Sequence, residues 1–465
     1  MQIFPAPPIR PFQRLHVSEG LLITTERWKQ TQRYHRQRQN FQFQALFQPG
    51  IICGLGVSVV STNFDDNTRY EDGRRLLLQV QPGMAIDVAG NPIIVPQPEV
   101  FQLRSKPAFG RPEIVYLAIN YVDPDELRYD ANNSNVQETF RIIEKNALAP
   151  EDVELCRILF DGSDVSLAAD PCFPTLNTLD HRHRLPVRQR PQGSFRLAQL
   201  VSELSDDSKI QASLSRLVQS VDVLCPSFQA LKDIAAINCD SLGELEGNSY
   251  DLLYCPYDYV SQIPPTAYPY LKRHLDDHGL LCIHADMGST RLHELYAIRQ
   301  ELLVALADLD DPSEQGQRQL SSKAQAIEEV NAIEADIESS IAHVRQGVVD
   351  LAQRLQYPLP GDGTLDPEHP LLTYPFLFGQ LPTINAQPIY GFCWGSVVLL
   401  ISHLPEAWRA DVSLDLSRNQ IRTAQEFGIN LLHFSWRRRQ LSQLQGAQSS
   451  VDPPPPSGSL TQQVT

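Results

Sequence analysis

Two runs decide the fold: Tyr250-Asp251-Leu252-Leu253-Tyr254-Cys255 and His278-Gly279-Leu280-Leu281-Cys282-Ile283-His284-Ala285-Asp286. Leu252 to Cys255 and Leu280 to His284 are short, continuous apolar runs, the pattern of strands buried on both faces. Between them, Thr266 to Leu275 carries helical spacing. A strand, a helix and a strand in that order imply a crossover and a parallel sheet. Upstream, Val221 to Cys225 reads as a further strand and Phe228 to Ile237 as a helix. Downstream, strands are expected at Ile389 to Cys393, Val397 to Ile401 and Asn430 to Phe434. A helix at Arg418 to Phe427 is predicted to stop at Gly428, because glycine tolerates the left-handed conformation that ends helices.

The alternation is interrupted by two long amphipathic stretches. Leu292, Leu295, Ile298, Leu302, Ala305 and Leu309 step by three or four. After Asp310-Asp311-Pro312 the stepping resumes from Leu320 through Ile327, Val330, Ile337, Ile341, Val344, Val348 and Leu351 to Leu355. The spacing predicts an antiparallel helical hairpin inserted at about 290–356. Its seam can be satisfied within the hairpin or on a neighbouring subunit, and heptads alone do not choose.

Toward the N-terminus, Thr24 or Thr25 can cap a helix that Pro49-Gly50 stops. Trp28, Tyr34, Phe41 and Ala45 lie near one face, while Arg27, Lys29, Arg33, Arg36 and Arg38 make most of the rest basic. The expectation is a helix docked through its aromatics, with the charged face outward. Strand signals follow at Ile51–Val60, Leu76–Val80, Met84–Val88, Ile93–Val95, Ile114–Ile119 and Glu154–Phe160. Pro82-Gly83 and Ala89-Gly90-Asn91-Pro92 supply turn chemistry between them. The fold class read from this pattern is α+β and multi-domain. An N-terminal helix plus small β-domain fills 1–162, an extended linker 163–214, and an α/β domain carrying the hairpin 215–444. A Pro-rich tail at 445–465 is expected to be disordered.

Composition narrows the function classes. A formal charge of −16 argues against general nucleic-acid binding, which needs a basic face to neutralise phosphates. No run of roughly 20 apolar residues is present, so no spanning helix is expected. Met1-Gln2-Ile3-Phe4-Pro5 shows no basic region followed by an apolar stretch, so no secretory signal is expected. Eight cysteines are scattered without a Cys-x-x-Cys pair, the usage of a reducing compartment, and a cytoplasmic protein is expected. Asp180-His181-Arg182-His183-Arg184 reads as a solvated basic turn rather than a ligand set, and no metal or cofactor is expected.

Two stretches carry a resemblance. Leu21-Leu22-Ile23-Thr24, Trp28, Gln32-Arg33-Tyr34-His35, Gly50-Ile51-Ile52-Cys53-Gly54-Leu55 and Val80-Gln81-Pro82-Gly83-Met84-Ala85-Ile86-Asp87 resemble a module of baseplate-associated proteins in phage-tail-like contractile injection systems. Tyr250-Asp251-Leu252-Leu253, Tyr268-Pro269-Tyr270-Leu271, His278 to Asp286, His369-Pro370-Leu371-Leu372 and Gly428-Ile429-Asn430-Leu431-Leu432 resemble a domain of unknown function with a glutamine-amidotransferase-like, Rossmann-like α/β fold. There the usual G-G-x-L turn is replaced by His278-Gly279, and the hairpin is an insertion. The resemblance implies a structural baseplate subunit, in a homo- or hetero-oligomeric ring with other tail subunits, that meets a membrane only through the assembly.

Catalytic candidates exist beside that reading. Gly391-Phe392-Cys393-Trp394-Gly395 has the form of a nucleophile elbow, with His433 downstream as a base. An elbow needs a helix after its second glycine, and Ser396 to Ile401 is a strand pattern instead. Cys282 and His284 share one strand face and form a second candidate pair. Asp258, His284, Asp286 and Ser289 fall where open α/β sheets bind ligands, outside the carboxyl ends of strands. Arg27, Arg33, Arg36, Arg38, Ile327, Ile337 and Val344 are the interface candidates. The expectation is a non-catalytic structural protein. The alternatives are an amidotransferase- or hydrolase-type enzyme with a cysteine nucleophile, or a small-molecule-binding module.

Overall fold

The computed structural model describes residues 10–60, 77–105, 111–123, 137–161, 165–202, 208–230, 234–238, 250–308 and 317–446. The chain is mixed α/β, and its described residues divide into two compact units, 10–190 and 191–446. Asp310-Asp311-Pro312 and all but the first two residues of the Pro-rich tail lie outside the described residues.

In the first unit, helix α1 (Thr25–Leu46) is capped by the Thr24 hydroxyl, which accepts from the Arg27 N–H. Two three-stranded antiparallel sheets follow. One orders β1 (Gly50–Gly54), β4 (Gly83–Ile86) and β5 (Pro92–Val95); the other orders β2 (Val57–Val59), β3 (Leu77–Val80) and β6 (Glu99–Gln102). A third sheet places β7 (Glu113–Val122) between β8 (Thr139–Lys145) and β9 (Val153–Phe160). Their inward residues, among them Leu55, Leu78, Ile93, Leu117 and Ile158, form one core. At Gly54 (φ +65) a Cβ would lie 2.1 Å from the Pro82 carbonyl oxygen, so the end of the β1–β4 pairing, where Gly54 faces Gly83, requires glycine. The aromatic face expected to dock α1 is covered only in part: Phe12 packs edge-on against Tyr34 and Phe41, and Tyr34 and Ala45 are half-buried, but no residue of the helix is fully buried and Trp28 is 57% exposed. The 163–214 segment is not a linker. Its first part belongs to this unit, with Arg184 donating to the Gly54 carbonyl and Arg188–Gln189 pairing with Phe47–Gln48.

The second unit is built on a six-stranded sheet. Its strands are β10 (Leu197–Val201), β11 (Ala235–Asn238), β12 (Leu252–Pro256), β13 (Leu280–Asp286), β14 (Tyr390–Trp394) and β15 (Val397–Ser402). They run in the order β11-β10-β12-β13-β15-β14, all parallel except edge strand β14. Strand β10 thus comes from the stretch expected to be linker. The run at Val221–Cys225 is not a strand, because all but Cys225 closes helix α2 (Ser208–Leu224). Phe228–Ile237 is not a helix, because it contributes strand Phe228–Ala230 and most of β11.

Period-two alternation divides the sheet into two faces. Leu253, Cys255, Leu281, Ile283, Leu399 and Ile401 pack with Leu271 and Leu275 of α3 (Tyr268–Asp276) and Leu292 of α4 (Leu292–Asp308). The same core takes in Ile337, Val344, Val348 and Leu351 of α5 (Gln317–Arg354). Leu252, Tyr254, Leu280, Cys282, Val398 and Leu400 face α2, α6 (Pro370–Thr373), α7 (Leu404–Arg409) and α8 (Arg418–Gly446). The hairpin is therefore only half a projection. The second half of α5 is the crossover helix on the sheet, and Ile337 and Val344, read as interface candidates, are core residues. Nearer the hairpin's distal end, Arg299 pairs with Glu334, while Ile298, Val304 and Ile327 are exposed.

Helix α8 begins with a capping box, in which the Ser417 N–H donates to Gln420 Oε1 and the Gln420 N–H to Ser417 Oγ. It runs through Gly428 and absorbs Asn430–Phe434, which the sequence placed in a strand. Gly428 is a packing glycine. A Cβ there would lie 2.5 Å from Leu217 Cδ1 and 2.9 Å from Trp408 Nε1, whose N–H donates to the Ala424 carbonyl at 2.8 Å. Alanine favours an exposed helix interior over glycine by about 1 kcal/mol. At this crossing the clash reverses the sign, and Gly428→Ala is expected to destabilise the unit by about 1–3 kcal/mol in denaturant unfolding. A gain in stability would contradict the packing.

The turn before β13 makes a second prediction. The His274 imidazole donates to the Leu280 carbonyl, and a Cβ at Gly279 would strike its ring. Burial pushes its pKa down to about 4. The folded state therefore favours neutral His274. That contribution is complete above the unfolded value near 6.5 and is lost as pH falls toward 4. The unfolding free energy should decline over that window, and less steeply in His274→Gln.

Candidate functional site

The polar residues of the sheet gather at the carboxyl ends of β13 and β15, on the face covered by α7. Strand alternation sends Gln199, Tyr254, His284, Asp286 and Ser402 to this face, the one that Leu197, Leu252, Leu280 and Leu400 share. The His284 N–H at Nε2 donates to the Ser402 carbonyl at 3.1 Å, and its ring stacks on Tyr254 with centroids 5.9 Å apart. Burial drives the His284 pKa down to about 4 and raises that of the Tyr254 phenol well above its ordinary range. Both are neutral at physiological pH.

Asp286 ends β13 in a tight turn. Its Oδ2 accepts from the backbone N–H groups of Gly288 at 2.9 Å and Ser289 at 3.1 Å, and the Ser289 hydroxyl donates to its carbonyl. After β15, His403 and Pro405 open α7, and Glu406 lies in its first turn. His403 Nδ1 stands 3.7 Å from Asp286 Oδ1. Its Nε2 meets Gln387 Oε1 at 3.1 Å, and Gln387 Nε2 meets His293 Nδ1 at 3.0 Å. Burial lowers the His403 pKa against the pull of Asp286. Burial, aided by the Asp286 charge, raises Glu406 to about 7.

Of the four pocket candidates, His284, Asp286 and Ser289 come together here. Asp258 lies apart, exposed in the turn after β12, where its carbonyl accepts from Gln262. Gln387, His403 and Glu406 were not found from the sequence. Their signal is Ser402-His403-Leu404-Pro405-Glu406, a strand end followed by a proline-marked helix start, but it is far from Asp286 in the chain.

The cysteine candidates are not assembled for catalysis. Gly395 (φ +67) turns a β14–β15 hairpin, with Cys393 opposite Val398, so the elbow is absent. His433 sits within α8 among Phe228, Tyr374 and Trp436. Cys282 is fully buried, its pKa raised by burial, and the His284 Nε2 that could serve it is turned to Ser402. Among the interface arginines, Arg36 forms a two-pronged pair with Asp123, Arg27 donates to the Leu22 carbonyl and Arg38 to the Tyr34 hydroxyl.

No protein-family model matches the chain, and no curated protein matches it in sequence.

Thiol chemistry gives a direct check. Burial pushes Cys393 up to about 11, whereas Cys53 and Cys172 are exposed. Because the thiolate is the reactive form, alkylation near neutral pH should label Cys53 and Cys172 at least about ten-fold faster than Cys393. Preferential labelling of Cys393 would restore the nucleophile reading.

Proposed function

We propose that the chain is a structural subunit in the baseplate of a phage-tail-like contractile injection machine, acting through contacts with ring neighbours. The observation that carries this reading is α1, a 22-residue helix none of whose residues is buried. Helices in water draw most of their stability from burying an apolar face. Here Leu22 and Ile23 lead into the helix exposed at 73% and 56%, and Trp28 follows at 57%. Aromatic and aliphatic groups left in solvent beside arginines have the composition of an interface awaiting its partner. The resemblance of Leu21–Thr24, Gln32–His35 and Gly50–Leu55 to a baseplate module names the partner class, other tail and baseplate subunits. In this reading the second unit has an amidotransferase-like fold without the elbow, and its exposed Ile298, Val304 and Ile327 make lateral contacts.

No described helix is long and apolar enough to cross a membrane. A cytoplasmic subunit that reaches a membrane only through its assembly accords with that. A small-molecule-binding role for the second unit is the second reading, favoured by the buried polar corner under α7.

Affinity purification of the full chain from its native cell should recover other tail subunits in a complex much larger than the chain. Leu22→Asp with Trp28→Asp should abolish that recovery while leaving the unfolding midpoint unchanged, because neither side chain is packed. A chain that stays monomeric and brings down no tail subunit contradicts the proposal.

A further inference from the structure

The contacts around His403 leave three acceptors facing one another. With the Gln387 amide oxygen turned to His403, that oxygen accepts from Nε2–H, and the neutral imidazole in this tautomer bares a lone pair at Nδ1. That lone pair looks at Asp286 Oδ1, while the other carboxylate oxygen is held by the Gly288 and Ser289 N–H groups. Glu406 completes the set, and one ligand atom from each residue lies within 4.8 Å of the others. Acceptors brought this close repel one another unless a shared proton or a cation lies between them, and a cation can be held by all three at once.

A second, independent feature points the same way. The Tyr254 hydroxyl is fully buried and has no hydrogen-bond partner, and Glu406 Oε2 is buried and equally unpartnered. Tyr254 stacks on His284 on the face that α7 covers, and it feels the charges of Glu406 and Asp286. Polar atoms buried without partners are costly and are rare in folded proteins. Two around one set of acceptors mark a place shaped for a further group.

We propose that Asp286, His403 and Glu406 bind one divalent transition-metal ion, with Gln387 orienting His403. One imidazole nitrogen and two carboxylates are a ligand set suited to zinc and its neighbours, and three protein ligands leave a coordination position open. The Asp286 side chain is 41% exposed, which gives that position access to solvent, whereas His403 is 8% exposed and fixed from behind. The Gln387–His403 contact is the outer support that metal-bound histidines use. The site is separate from the surfaces assigned to assembly, and it stands or falls independently of them.

The test uses the untagged full chain, freed of metal with a chelator and titrated calorimetrically with zinc chloride, with cobalt(II) as a spectroscopic substitute. One ion per chain is expected, together with a rise in unfolding midpoint and a cobalt visible spectrum free of thiolate charge transfer. His403→Gln and Glu406→Gln should each weaken binding by more than about ten-fold, and Gln387→Leu, which leaves all three ligands in place, by about 10–100-fold. The metal-free unfolding midpoint of each variant reports whether it folds. No zinc uptake at millimolar concentration, a thiolate band placing the ion on cysteines, or undiminished binding by folded His403→Gln and Glu406→Gln would overturn the proposal. Should a variant not fold, the wild-type stoichiometry and cobalt spectrum decide alone.

Discussion

Strand β13 has no solvent face. Leu280 to Ala285 are all buried, alternate residues entering the two cores on either side of the sheet. Burying an aliphatic side chain stabilises by roughly 1.5–3 kcal/mol, and a parallel strand gains this on both faces only if helices cover both. The second unit is arranged around that requirement. α3 and the second half of α5 seal one side, and α2, α7 and α8 seal the other. The long hairpin follows from the same constraint, since α5 must return to lie on the sheet before β14 and β15 can be added, and only its distal end is left over.

The constraint also accounts for the polar corner. A strand buried on both faces has no exposed flank for functional side chains, so they collect at its carboxyl end. Pleating puts Tyr254, His284, Asp286 and Ser402 on one face there, and α7 brings His403 and Glu406 over them. Burial then makes the imidazoles neutral and raises the Glu406 carboxyl. Elsewhere on this face several polar groups pair: Asn430 binds Leu371 and Phe376, and Ser435 binds Leu432. The Gln199 amide is buried on the same face without a partner, and the groups under α7 differ from it in bringing two carboxylates and an imidazole together. The first unit presents the opposite case, with a well-packed β core and a helix whose apolar groups its own chain covers only in part.

Legibility in the sequence followed the local physics. β12, β13, β14 and β15 were readable because short apolar runs, mostly aliphatic in β13 and β15 and aromatic in β14, are bounded by turns and admit few other structures. Ile429–Phe434 is likewise a short apolar-rich run, interrupted only by Asn430 and His433, and such runs do not distinguish a buried strand from a buried helix. Gly428 added to the error, since a glycine that makes room for Leu217 and Trp408 looks the same in sequence as one that ends a helix. Val221–Cys225 failed for the same reason, and Leu197–Val201 was lost in polar surroundings. In the site, Asp286 and His284 were legible from their place at a strand end. His403, Glu406 and Gln387 were not, because only the sheet order brings β15 beside β13.

Hydrogen exchange on the intact chain, read by mass spectrometry, tests the central constraint most directly. If the sheet is sealed on both faces by its own helices, amides of residues 252–256, 280–286 and 397–402 exchange slowest. Residues 337–355 of α5 then share that protection, while residues 322–333 of the same helix exchange far faster. Equal and rapid exchange along the whole of α5 would contradict the account, because α5 would then not seal that face of β13.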